Sequence, residues 1–157
     1  MSNKSFIDIK MLYDEKKGYY DISFTDNGDL QRDETFDTSI NCALLTDGRA
    51  DETEVKYVEL QRGTIVDLFT PNNNRNGSKL WLLEQSRIDL SAKNRARDYA
   101  KNCLQFLKDN NFVKDISVDA KLTEKGIELY ISFERFSGVF DKYRYDAWNK
   151  SLYNIGK

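Results

Sequence analysis

A chain of 157 residues with 39% hydrophobic and 13% aromatic content is long enough to bury a core without metal or disulfide staples, and too apolar to be disordered. A formal charge of −2 gives no general pull toward nucleic acid or an anionic membrane, so neither is expected as a partner. The absence of histidine excludes histidine-based triads, histidine metal sites and an imidazole acid or base working near neutral pH.

The first residues, MSNKSFIDIK, hold no long apolar run, and no window approaches the ~20 apolar residues of a membrane span, so neither a secretion signal nor a membrane anchor is expected. Segments 5–10 and 19–24 alternate in part and read as short strands. The run Thr25-Asp26-Asn27-Gly28-Asp29 is a turn signal, which makes 1–30 an N-terminal hairpin region. Phe36, Ile40, Ala43 and Leu44 then share one helical face. Asp33, Thr35 or Asp37 could cap its start, and Gly48 stands where a left-handed glycine would end it. Cys42 falls on that stripe and Cys103 on a later one, so both read as small buried hydrophobes in a reducing cytoplasm rather than as a disulfide.

From 49 to 76 the pattern weakens. Asp51, Glu52 and Glu54 form an acidic cluster, 55–66 has room for an extended piece, and 71–77 reads as a loop. Leu80, Trp81, Leu82 and Leu83 are the most apolar run, predicting a short helix that starts near Gly77-Ser78 with Trp81 as a core anchor.

The organising unit spans 91–134. With Ser91 as N-cap, Ala92, Ala96, Tyr99, Ala100, Cys103, Leu104, Phe106 and Leu107 recur at helical spacing, and Asn110-Asn111 marks the end. The period then switches to two. Ile116, Val118, Ala120 and Leu122 alternate with polar residues, Glu124-Lys125-Gly126 turns, and Ile127, Leu129, Ile131 and Phe133 alternate again. A lone hairpin is marginal in water, so the helix stripe must cover it. The reading is one α+β domain over 1–157, with a small, mainly antiparallel sheet packed against a long helix and shorter helices. Beyond it, 136–157 is a tail crowded with aromatic residues that either packs back or meets a partner.

A search for chemistry finds little. Asp47, Asp51, Glu52, Glu54 and Asp67 could supply the paired carboxyls of a glycosidase, but read better as a solvated acidic loop. A calcium loop, a phosphate loop and a nucleophile elbow are all missing. The strip Lys93, Arg95, Arg97 and Lys101 is interrupted by Asp98 and reads as a solvated helix face. Neither catalytic residue, metal nor cofactor is expected.

Three blocks carry a resemblance: Leu45-Thr46-Asp47-Gly48-Arg49-Ala50-Asp51, Arg62-Gly63-Thr64-Ile65-Val66-Asp67, and Gly77-Ser78-Lys79-Leu80-Trp81-Leu82-Leu83. In these the chain resembles the Mu-type phage baseplate protein family, related to the sheath-initiating, lysozyme-like wedge proteins of contractile tails. The likeness covers roughly 28–133. It departs at Thr64-Ile65-Val66, where the family usually has tryptophans and a glycine, and at 111–115, which lacks the Glu-Pro-Arg turn of the wedge relatives. It implies a structural component of a phage tail baseplate, or of a phage-derived injection particle, assembled in the host cytoplasm; old labels of related proteins mention lysozyme activity, but with no convincing carboxylate pair here no enzymatic activity is expected. Its implied partners are other wedge proteins and the tail sheath protein, within a multi-subunit particle. The structural motif it implies is Asp47, Gly48, Arg49, Ala50, Arg62, Gly63, Asp67, Gly77, Ser78, Leu80 and Trp81.

Strand addition at the hairpin is the expected mode of contact, with Lys121, Glu128, Tyr130, Ser132 and Glu134 turned outward and Lys121, Glu128 and Glu134 guarding the edge against self-pairing. Phe140, Tyr145 and Trp148 of the aromatic tail are further candidates for contact. Two other classes remain open: a cytoplasmic protein-binding regulator, since a similar fold serves an anti-adaptor in bacterial stress signalling, and a peptidoglycan-cleaving enzyme.

Overall fold

The computed structural model describes residues 8–14, 16–69, 77–84 and 86–156, without the side chains of Val66 and Leu68. The start of the first expected strand and most of the 71–77 loop lie outside the described residues.

The hairpin expected after the long helix is present, and it is half of a larger sheet. β5 (Asp115–Thr123) and β6 (Gly126–Glu134) pair in register, with Ile116 opposite Phe133 and Leu122 opposite Ile127. The aromatic C-terminal segment then adds β7 (Phe140–Asp146) and β8 (Ser151–Gly156), giving an antiparallel sheet in the order β5-β6-β7-β8. Of the two hairpin strands, one of which was expected to be an edge, β5 is the outer one. Both sides of β6 are paired, which leaves β5 and β8 as the outer strands.

One face of this sheet is apolar. Ile116, Val118, Ala120, Ile127, Leu129, Ile131, Phe133, Tyr143 and Tyr145 are all buried there. Helix α2 (Leu90–Asp109) covers them with Ala92, Ala96, Ala100, Leu104 and Leu107. Its first half presents only methyl groups, which lets the helix lie close to the sheet. Full burial of a leucine such as Leu104 stabilises by about 1.5–3 kcal/mol. The N-cap is Asp89 rather than Ser91: Asp89 has extended backbone and accepts the Ala92 N–H at 2.8 Å, while Ser91 already lies in the first turn. At the other end Asn111 adopts φ 60, and Phe112 returns its N–H to Leu107. Phe106 faces outward, off the buried stripe.

Helix α1 (Asp37–Leu45) closes the core with Ile40, Ala43 and Leu44. Phe36 precedes it and packs at a tilt against Phe133, which meets Tyr143 edge-on, so one chain of rings links the helix start to the sheet. Asp33 anchors this helix start by accepting the N–H groups of Thr35 and Thr38. Cys42 is exposed on the outer side of α1, contrary to the stripe reading; Cys103 has an enclosed thiol, as expected.

Two small sheets lie N-terminal to α1. β1 (Asp8–Ile9) pairs with β4 (Arg32–Asp33), and β2 (Met11–Asp14) with β3 (Tyr19–Ile22). The turn at Thr25–Asp29 is present, closed by Phe24 opposite Leu30. Thr38 ties these strands to α1, its hydroxyl accepting the Met11 N–H and donating to the Ile9 carbonyl.

Between the helices the expected extended piece is absent. Arg62 at φ 47 and Gly63 at φ 92 reverse the chain, and 3-10 turns form at Val58–Leu60 and Ile65–Leu68. The predicted short helix is a 3-10 turn, Lys79–Leu83, whose N-cap Ser78 accepts the Leu80 N–H.

Candidate protein interface

The sheet face opposite α2 is built of polar and aromatic residues in register. Lys121, Glu128 and Asp146 form one row across it, and Asp119, Tyr130, Arg144 and Tyr153 a second. Ser117, Ser132 and Lys142 form a third. The sequence candidates Lys121, Glu128, Tyr130, Ser132 and Glu134 therefore share this face, Lys121 exposed and the other four half-buried. The aromatic candidates separate. Phe140 and Trp148 are exposed at opposite ends of β7, whereas Tyr145 is 2% exposed and belongs to the core, where it cannot meet a partner. Alternation decides this, because Tyr145 pairs with the inward Leu129.

The edges can be compared atom by atom. Ala147 donates its N–H to Ile127, so odd-numbered residues of β6 bond toward β7 and even-numbered ones toward β5. It follows from the register that Ile116, Val118, Ala120 and Leu122 of β5 turn their N–H groups to the outer edge. Two of these are met by the preceding carboxylate. Asp119 accepts the Ala120 N–H at 2.8 Å, and Asp115, whose carboxyl the Lys108 ammonium first and the Ile116 N–H second hold below its ordinary range, accepts that of Ile116. Asp115, Asp119 and Lys121 are the exposed charged side chains along this edge strand, while Glu128 and Glu134 sit on a strand paired on both sides. At the other edge, β8 is partly covered: its Leu152 N–H meets the Tyr20 hydroxyl from the N-terminal hairpin.

The family-like blocks converge elsewhere, on one knot beneath the 3-10 turn. Asp47 and Ser78 form a parallel bridge in which Gly48 donates to Ser78 O and Ser78 donates to Thr46 O. Trp81 donates its indole N–H to Gly48 O at 2.8 Å, and the Arg62 guanidinium lies over its ring at 4.5 Å. Arg62 also reaches Asp47 at 2.9 Å and Glu84 at 3.6 Å. Arg49 binds Gln61, Ala50 donates to Gln61 O, and buried Asp67 accepts the Thr64 N–H beside Gly63. Leu80 packs against the main core, but Trp81 is half-buried and clamps this knot instead of anchoring that core. Gln61 carries no sequence signal of its own; only its place next to the Arg62-Gly63 block points to it.

The acidic cluster serves the same knot. Lys79 Nζ stands 2.7 Å from both Asp51 and Glu54, and Tyr99 donates to Glu54. Burial works to lower the Lys79 pKa, but the two carboxylates outweigh it and hold the ammonium above its ordinary value. Among the described residues no group of three acidic or thiol side chains is placed to hold a metal ion.

A model of the family described as phage protein GP46 matches residues 36–139. The chain is also similar to baseplate protein gp46 of Escherichia phage Mu, with 30% identity over 125 residues covering 78% of this chain and 85% of that protein.

Proposed function

We propose, on the premise that the chain belongs to the phage protein GP46 family, a structural role in a tail baseplate, where an extended segment of a sheath or wedge protein adds to its sheet at β5. The baseplate role and the location in the virion tail follow the family. Joining of the wedge, initiation of the sheath and assembly in the host cytoplasm are the finer part of the reading.

One observation carries strand addition. β5 presents a row of outward N–H groups with no strand beyond it among the described residues, and side chains rather than backbone meet two of them. An incoming strand would replace those local bonds with a ladder, and the polar rows beside β5 would select its side chains. β8 is less suited, because Tyr20 already occupies its Leu152 N–H. A lysozyme-like activity draws no support from Asp51 and Glu54, which share one lysine.

Proline substitutions test the edge. Ala120→Pro removes an outward N–H and no ladder bond, whereas Asp119→Pro removes a bond to β6. The reading expects Ala120→Pro to fold, by circular dichroism, and to leave tails without full sheath in electron micrographs of complemented particles; Asp119→Pro unfolds the sheet. A folded Ala120→Pro protein that supports full-length sheath rules out addition at β5.

A further inference from the structure

The centre of the open sheet face holds a cation without a counter-ion. Register places Arg144 between Tyr130 and Tyr153, and its guanidinium lies over the Tyr153 ring at 4.7 Å. Its Nε is buried and has no hydrogen-bond partner. Among the described residues the guanidinium makes neither a hydrogen bond nor an ion pair. Acids are close by in register, yet each is engaged elsewhere. Glu128 accepts the Tyr130 hydroxyl, Asp146 accepts the N–H groups of Trp148 and Asn149, Glu134 is held by Lys114, and Asp119 accepts the Ala120 N–H. A half-buried guanidinium with a dry, unused N–H is a costly arrangement in an isolated chain.

We propose that Arg144 receives a carboxylate side chain from a neighbouring protein of the baseplate; this rests on the reading that the chain works within that assembly. A planar carboxylate matches the guanidinium fork, which the Tyr153 ring beneath it holds in place. A polyanion such as nucleic acid is disfavoured by Asp119, Glu128, Glu134 and Asp146 on the same face and by the net charge of −2. The contact is made on the sheet face, two strands in from β5, so it is separate from strand addition at the edge.

The test compares the free chain with purified tails, using phenylglyoxal labelling of arginine read by mass spectrometry. Arg144 reacts in the free chain and is protected in tails. Arg144→Glu keeps its melting temperature but enters tails about tenfold less than wild type, and Arg144→Lys enters at an intermediate level. Equal reactivity of Arg144 in both states, or a folded Arg144→Glu protein incorporated at the wild-type level, overturns the inference while leaving the baseplate reading in place. Tails that lack the wild-type chain altogether overturn both.

Discussion

Gly48 and Gly77 cross so closely that a β-carbon on Gly48 would stand 2.9 Å from the Gly77 carbonyl oxygen, and one on Gly77 would stand 2.6 Å from Thr46 O. Gly77 also adopts φ +90, a conformation that L side chains resist, while Gly48 does not. The structural reason for glycine at Gly48 is close backbone approach and not the expected left-handed helix end. Each glycine-to-alanine change should destabilise by about 1–3 kcal/mol, Gly77→Ala more than Gly48→Ala. Denaturant midpoints of the two variants check the order; equal midpoints with wild type would show that the crossing can relax.

Trp81 contributes through its clamp. Trp81→Phe keeps a ring beneath Arg62 but loses the indole bond to Gly48 O, a loss of about 1 kcal/mol. Trp81→Ala should cost roughly 2–3 kcal/mol, below the ~3–5 of a fully buried tryptophan. Thermal melts of both variants resolve the difference.

What was legible in the sequence followed clean periods. α2 and the β5–β6 pair could be read because their apolar residues keep one phase throughout. β7 could not. Its inward positions are Asp141, Tyr143 and Tyr145, and its outward ones include Phe140, so polarity and phase disagree. Asp141 is tolerated inside because Arg135 binds it. The 3-10 turns around Arg62 follow from two left-handed residues, one of them not glycine, which no local pattern announces. Alternation alone puts Glu128, Tyr130, Ser132 and Glu134 on the outward face of β6, whereas the inward place of Tyr145 follows only once the aromatic tail is strand.

The start of α1 makes an acid-sensitive point. Burial works to raise the Asp33 pKa, but hydrogen bonds from the Thr35 hydroxyl and from the Thr38 and Thr35 N–H groups outweigh it, so the folded value lies below 3.8. A lowered folded value stabilises above the unfolded pKa, and that contribution disappears as pH falls through the folded one. Asp33→Asn should therefore be less stable than wild type at pH 7, with the gap closing below about pH 4. Melting temperatures across that range give the result; a constant gap would assign the loss to packing.

The thiols should differ in reactivity. Burial pushes the Cys103 pKa up to about 12 and its Sγ donates to Ala100 O, whereas Cys42 is exposed, with its thiol raised by partial burial and by Asp8. At pH 8 a thiol reagent should modify Cys42 in the native chain, and Cys103 only after denaturant is added. Native modification of both would show that the α2 packing opens.

Removing the side chain that meets the β5 edge should expose it. Asp119→Ala frees the outward N–H of Ala120, so the variant should self-associate more than wild type at matched concentration in sedimentation velocity. Identical sedimentation would mean that Asp119 does not guard this edge.

The most direct measurement is a cryo-electron microscopy reconstruction of the baseplate that contains this chain. The account predicts a strand from another protein running beside β5, hydrogen-bonded to the N–H groups of Ile116, Val118, Ala120 and Leu122. A baseplate in which the chain is present with β5 facing solvent would contradict it.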